Sequence, residues 1–143
     1  MADKTHFIEK LDKNPEYQYM FLRPRRWGKS TFLQTLAAYY DKSKKDSFYD
    51  TFGQLYIGKN PTPFRNTLLV LLFDFSTITV LDNHDDTKQN FNSAIKGTLQ
   101  TFLLKNEEFL GNPDIEALMA GSGRDALDRV LVSSFSSVLP RCD

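Results

Sequence analysis

The segment that most restricts this chain is Arg23-Pro24-Arg25-Arg26-Trp27-Gly28-Lys29-Ser30-Thr31, because it separates two stretches of different hydrophobic period. Before it, Tyr17-Gln18-Tyr19-Met20-Phe21-Leu22 is aromatic and apolar and predicts a strand. Pro24 ends that strand, since proline has no N–H for a ladder. After it, Phe32, Leu33, Leu36, Ala37 and Tyr40 form one apolar stripe at helical spacing. Strand, basic turn with Gly-Lys-Ser, then helix is the context of a phosphate-binding loop. Such a loop works mainly through its backbone. Consecutive N–H groups make an anion nest, and the helix aims its free N–H groups and positive dipole end at the same point.

The expected binding set is therefore Arg23, Pro24, Arg25, Arg26, Trp27, Gly28, Lys29, Ser30 and Thr31. Gly28 lets the backbone approach phosphate oxygens, and Lys29 reaches the outer phosphates. Ser30 places its hydroxyl on Mg2+. Arg25 or Arg26 is a further candidate for phosphate contact. The standard pattern is Gly-x-x-x-x-Gly-Lys-Ser/Thr, and here Arg23 stands at the first glycine position. Two other readings compete. One is a plain basic turn; the other is a nucleic-acid patch made by Arg23, Arg25, Arg26 and Lys29.

The remaining chain adds elements of both kinds. Asp3 is a candidate cap for a short helix bearing Phe7, Ile8 and Leu11. Phe48, Tyr49 and Phe52 predict a second short helix closed by Gly53, and Gly58 to Asn66 predicts a loop. The unbroken apolar run Leu68 to Phe73 predicts a strand covered on both faces, with Asp74 at its end. Phe91, Ile95, Leu99, Phe102 and Leu103 line a long helix that starts after Asp85 and Asp86. Ser122-Gly123-Arg124-Asp125 has capping-box spacing before Ala126, Leu127, Val130 and Leu131. Residues 132–143 show no clear pattern. Alternating helices and strands predict an α/β layer fold.

Charge and cysteine usage exclude several classes. Eighteen basic residues balance eighteen acidic ones, which argues against a surface built for nucleic acid or an anionic membrane. One cysteine, Cys142, excludes an internal disulfide and a cysteine-based metal site. His6 and His84 lie far apart and lack acid partners at ligand spacing, so neither is assigned to catalysis. No apolar run is long enough to span a bilayer, and a cytoplasmic or nuclear location is the expectation.

Four stretches together resemble the AAA-ATPase-like domain family, P-loop NTPases of fungi and bacteria. They are Asp3-Lys4-Thr5, Phe21 to Ser30, Leu55-Tyr56-Ile57-Gly58-Lys59-Asn60-Pro61-Thr62-Pro63, and Phe73-Asp74-Phe75-Ser76. They occur in the family's order with similar separations. The family carries Arg-Pro-Arg-Arg before its Gly-Lys-Ser, so the resemblance makes Arg23 a family trait; Trp27 departs from an expected phenylalanine. The resemblance implies an incomplete P-loop NTPase-like three-layer fold, with a small parallel sheet flanked by helices, over residues 1–131. It implies ATP and Mg2+ as ligands. By pattern alone Asp74 resembles the Walker B acid that holds Mg2+; the resemblance gives it a supporting place instead.

Family members carry a later strand ending in Asp-Glu. Glu107-Glu108 follows a helix and does not match it. The expectation is thus a nucleotide-binding domain with doubtful hydrolysis, shortened relative to the family as a fragment or splice form. Rival expectations are a non-enzymatic interaction module, pairing with itself or with a missing C-terminal region, and an arginine-based nucleic-acid segment.

Overall fold

The computed structural model describes residues 3–14, 19–22, 24, 26, 28–80, 82–111 and 113–138, with backbone alone at 77 and 132–138. Helices α1 (His6–Asp12), α2 (Lys29–Tyr40), α3 (Phe48–Phe52) and α4 (Tyr56–Lys59) precede α5 (His84–Lys105), α6 (Glu107–Leu110), α7 (Ile115–Leu118) and α8 (Gly123–Val138). Short 3-10 turns lie at Lys42–Lys44 and Phe75–Thr77. The chain divides into two compact units, Met1–Val70 and Leu71–Asp143.

The expected α/β fold with a parallel sheet is not what forms. Among the described residues there is no strand, and the one β feature is an isolated parallel bridge between Asp41 and Leu68. Lys42 N–H donates to the Leu68 carbonyl at 2.8 Å, and Leu68 N–H donates to the Tyr40 carbonyl at 3.0 Å. The reason is physical: an apolar run becomes a strand only when another strand takes up its N–H and C=O groups. Among the described residues, only Leu68 of this run makes such a pairing, beside the C-terminal end of α2. The run is also not covered on both faces, since Leu68 and Leu72 are exposed. Of the other expected strand, residues 17–18 lie outside the described residues, and 19–22 take up no regular structure.

The first unit is held by an aromatic core. Tyr39 of α2 is fully buried among Ile8, Phe48, Phe52 and Ile57, so α1, α2, α3 and α4 all contribute. Its ring meets Phe48 and Phe52 at 5.8 and 5.7 Å, and Phe48 stacks on Phe52 at 5.2 Å. Burying each of these large side chains contributes about 1.5–3 kcal/mol. The Tyr39 hydroxyl is also satisfied: it accepts from Thr62 N–H at 2.8 Å and lies 2.9 Å from Thr62 Oγ1. That bond ties the proline-bearing loop to the core.

The N-terminal turn is tied to α4. Asp3 does not cap α1, whose N-cap is Thr5. Its carboxylate accepts from Thr5 N–H at 2.8 Å and Thr5 Oγ1 at 2.7 Å, and from Tyr56 N–H at 2.7 Å. The Thr5 hydroxyl in turn accepts from Ile57 N–H at 3.2 Å. The first N–H groups of a helix have no partner within it, so Asp3 and Thr5 supply the caps of α4 across a long sequence separation. The hydrogen bond from the Thr5 hydroxyl, then those from Tyr56 and Thr5 N–H, hold the Asp3 carboxyl below its ordinary 3.8. A depressed acid stabilises the fold above its unfolded value and loses that contribution as pH falls through the lower folded value. Acid unfolding should therefore show a stability loss below pH 3.8 that Asp3→Asn flattens. Equal slopes for both proteins in that window would contradict it.

The second unit is built on α5 against α8. Ile95, Leu99, Phe102 and Leu103 are buried at helical spacing on α5, and Ala126 and Val130 are buried on α8. Asn83 caps α5 by accepting from Asp85 N–H at 3.0 Å. Before α8, Ser122 N–H donates to Asp125 Oδ2 at 2.9 Å and Asp125 N–H to Ser122 Oγ at 3.3 Å. This reciprocal pair is the expected capping box. α8 then runs to Val138, through the first part of the segment read as patternless. Glu107–Leu110, directly after α5, forms a short helix of its own. No helix among the described residues is long and apolar enough to cross a membrane.

Candidate functional site

The start of α2 is built to present positive field. Gly28 is its N-cap with φ 73° and ψ 26°, a left-handed conformation that suits glycine. A Cβ at Gly28 would meet no atom within 4 Å, so the backbone angle, not crowding, demands glycine. Just before it, Arg26 also has a positive φ of 64°. Glycine offers no side chain to cap the first turn, and that turn contains no acidic residue. Instead the first helical residue is Lys29. A cation at a helix N-terminus opposes the macrodipole, so Lys29 costs the isolated helix stability. The lysine charge and the positive dipole end together favour an anion at this point.

An open cavity of about 560 Å3 adjoins that turn. Gly28, Lys29 and Ser30 contribute to it from the α2 start, and Lys4 from the turn before α1. Its apolar lining comes from Phe7, Phe21, Phe32, Leu33 and Leu36. Phe32 meets Phe7 edge-on at 6.5 Å and Phe21 at 5.4 Å. Lys10 Nζ lies 5.2 Å from the Phe7 ring centre. α2 thus serves two ends: Tyr39 anchors its C-terminal half in the core, while Phe32, Leu33 and Leu36 face the cavity. A volume of this size, with an apolar wall and a few polar groups, suits a small-molecule ligand with an anionic end.

The expected site residues are only partly gathered there. Gly28, Lys29 and Ser30 line the cavity. Pro24, Arg26 and Thr31 are exposed, and the Thr31 carbonyl accepts from Thr35 Oγ1 at 2.8 Å. Arg23, Arg25 and Trp27 lie outside the described residues. Asp74 belongs to the second unit, where it begins a 3-10 turn and accepts from Ser76 N–H at 2.9 Å. Hydrogen bonds from the Ser76 side chain and then its N–H lower the Asp74 pKa from its ordinary value. Lys4 and Phe7, which sequence reasoning did not place at the site, are brought to it by the fold. Asp3-Lys4-Thr5 and Phe21 to Ser30 are both among the four resembling stretches, which flags Lys4 but not that the two meet, and Phe7 lies in none of them.

No group of three or more His, Cys, Asp or Glu side chains among the described residues could hold a metal ion. Mg2+ does not need one, because it keeps several waters and takes substrate phosphates as ligands. The Ser30 hydroxyl, beside Lys29 in the cavity lining, is compatible with that mode. His6 is a packing residue, 4.2 Å from the Phe7 ring and 6.4 Å from Tyr56.

With this arrangement described, the sequence comparisons carry weight. The chain belongs to the AAA-ATPase-like family: the family model described as "Predicted AAA-ATPase" matches residues 1–139. The match extends well past the four stretches ending at Ser76. No curated protein and no solved structure matches the chain at a significant level.

Proposed function

We propose that this protein binds ATP, as a nucleoside triphosphate with Mg2+, in the cavity at the start of α2. The observation that carries the reading is the joining of two chemistries in one cavity: Gly28, Lys29 and Ser30 on one part, a phenylalanine and leucine lining on another. The first suits the phosphates and the second suits the base. Family membership supports the same assignment.

Residue roles follow from chemistry. The backbone N–H groups from Arg25 to Thr31 are assigned to phosphate oxygens, as the sequence reading expects. Lys29 neutralises the outer phosphates. Ser30 would hold Mg2+ through its hydroxyl, and the ion, when bound, bridges phosphate oxygens and screens their charge. Phe7, Phe21 and Phe32 exclude water from the base. The reading concerns binding rather than turnover, because Glu107 and Glu108 open α6 and do not follow a strand. Calorimetric titration of the folded chain with ATP and Mg2+ tests it. Saturable binding is expected, and no heat of binding from a chain with its full helical signal would refute it.

A further inference from the structure

Lys4 borders the same cavity as Lys29, yet it comes from a separate part of the chain. Its neighbours on both sides are anchored to α4. Asp3 accepts from Tyr56 N–H at 2.7 Å, and Thr5 Oγ1 accepts from Ile57 N–H at 3.2 Å. Thr5 is buried at 5% exposure, so this turn is part of the packed structure. The backbone of Lys4 is held as well, because its carbonyl accepts from Phe7 N–H at 3.2 Å. The side chain that remains extends from a fixed base at the cavity rim. A lysine whose backbone is already ordered loses less freedom when its ammonium engages a ligand.

A nucleoside triphosphate carries more negative charge than Mg2+ and Lys29 together offset. We infer that Lys4 is a second phosphate-contacting cation, held at the cavity by the Asp3–Thr5 clamp on α4. The inference rests on the nucleotide reading above and adds a residue outside the Gly-Lys-Ser turn. It also gives Asp3 and Thr5 a positioning role. A contact to the phosphate tail makes the effect of Lys4 grow with phosphate number, whereas a contact to base or sugar does not.

The test uses the full chain, titrated with ATP, ADP and AMP in the presence of Mg2+. Lys4 is exposed, so Lys4→Met should keep the helical signal and melting temperature of the natural chain. Lys4→Met should weaken ATP binding by about tenfold, in line with one charge-assisted contact. The loss should be smaller for ADP and least for AMP, and Lys4→Arg should restore ATP binding. Unchanged ATP affinity in Lys4→Met, with binding still lost in Lys29→Ala, would overturn the Lys4 assignment and leave the nucleotide site standing. Equal losses for ATP and AMP would also overturn it, placing Lys4 on the nucleoside part. Failure of the natural chain to bind any of the three would remove the nucleotide reading itself.

Discussion

Replacing Lys29 with alanine should weaken binding of ATP with Mg2+ by about 100-fold, which corresponds to the upper part of the range for a charged hydrogen bond. The fold should not suffer. Lys29 is exposed and is the first residue of α2, where its charge opposes the helix dipole. Alanine there has high helix propensity. The variant should keep the helical signal of the natural chain while losing its ligand. A retained fold with lost binding distinguishes a binding residue from a structural one. A variant that binds ATP normally would take Lys29 out of the site. One that loses binding together with its helical signal would place Lys29 in the fold.

The second large effect concerns Gly58, at the contact between α4 and α3. A Cβ built on Gly58 would overlap the carbonyl oxygen of Phe52 and lie 3.0 Å from the Gly53 Cα. Both obstacles are backbone, which cannot rotate away. Gly58→Ala must push α4 off α3, next to Phe52 and Ile57 in the core. A loss of about 3 kcal/mol is expected for overpacking against an unyielding neighbour. For a unit of this size that lowers the melting temperature by roughly 12–24 °C. Gly97, within α5, provides the opposite case: no atom lies within 4 Å of its added Cβ. Gly97→Ala should stabilise the second unit by about 0.5–1 kcal/mol through lower unfolded-chain entropy and better helix propensity. Thermal unfolding followed by circular dichroism checks both. A neutral Gly58→Ala would show that α3 and α4 are not packed as described.

These two glycines also show where the sequence is readable. The stretch Leu55 to Pro63, one of the four resembling stretches, has a physical basis in the fold. Ile57 enters the core, Gly58 permits close approach of α3 and α4, and Thr62 satisfies the Tyr39 hydroxyl. The long helix was legible because Ile95, Leu99, Phe102 and Leu103 repeat at its period. The Ser122–Asp125 box was legible because its two partners are three residues apart. Local signals of this kind need no tertiary knowledge.

The strands were misread because hydrophobicity reports burial or pairing without naming the partner. Leu68 to Phe73 has strand composition, but only Leu68 finds a partner at Asp41. On α2 the periodic stripe gave Tyr40, whereas Tyr39 is the fully buried residue. Tyr40 sits half-buried instead, where its hydroxyl donates to Asp12 Oδ1 at 2.5 Å and burial raises its pKa. Gly28, Lys29 and Ser30 were legible as a local triplet. Lys4 and Phe7 were not, since only the folding of α1 beside α2 brings them to the same cavity.

An amide-resolved NMR titration of the folded chain with ATP and Mg2+ tests the central claim most directly. The account predicts saturable shifts concentrated at Gly28 to Phe32 and at Lys4 to Phe7, absent in Lys29→Ala. Shifts that avoid the α2 start, or none at all at millimolar ATP, would contradict it.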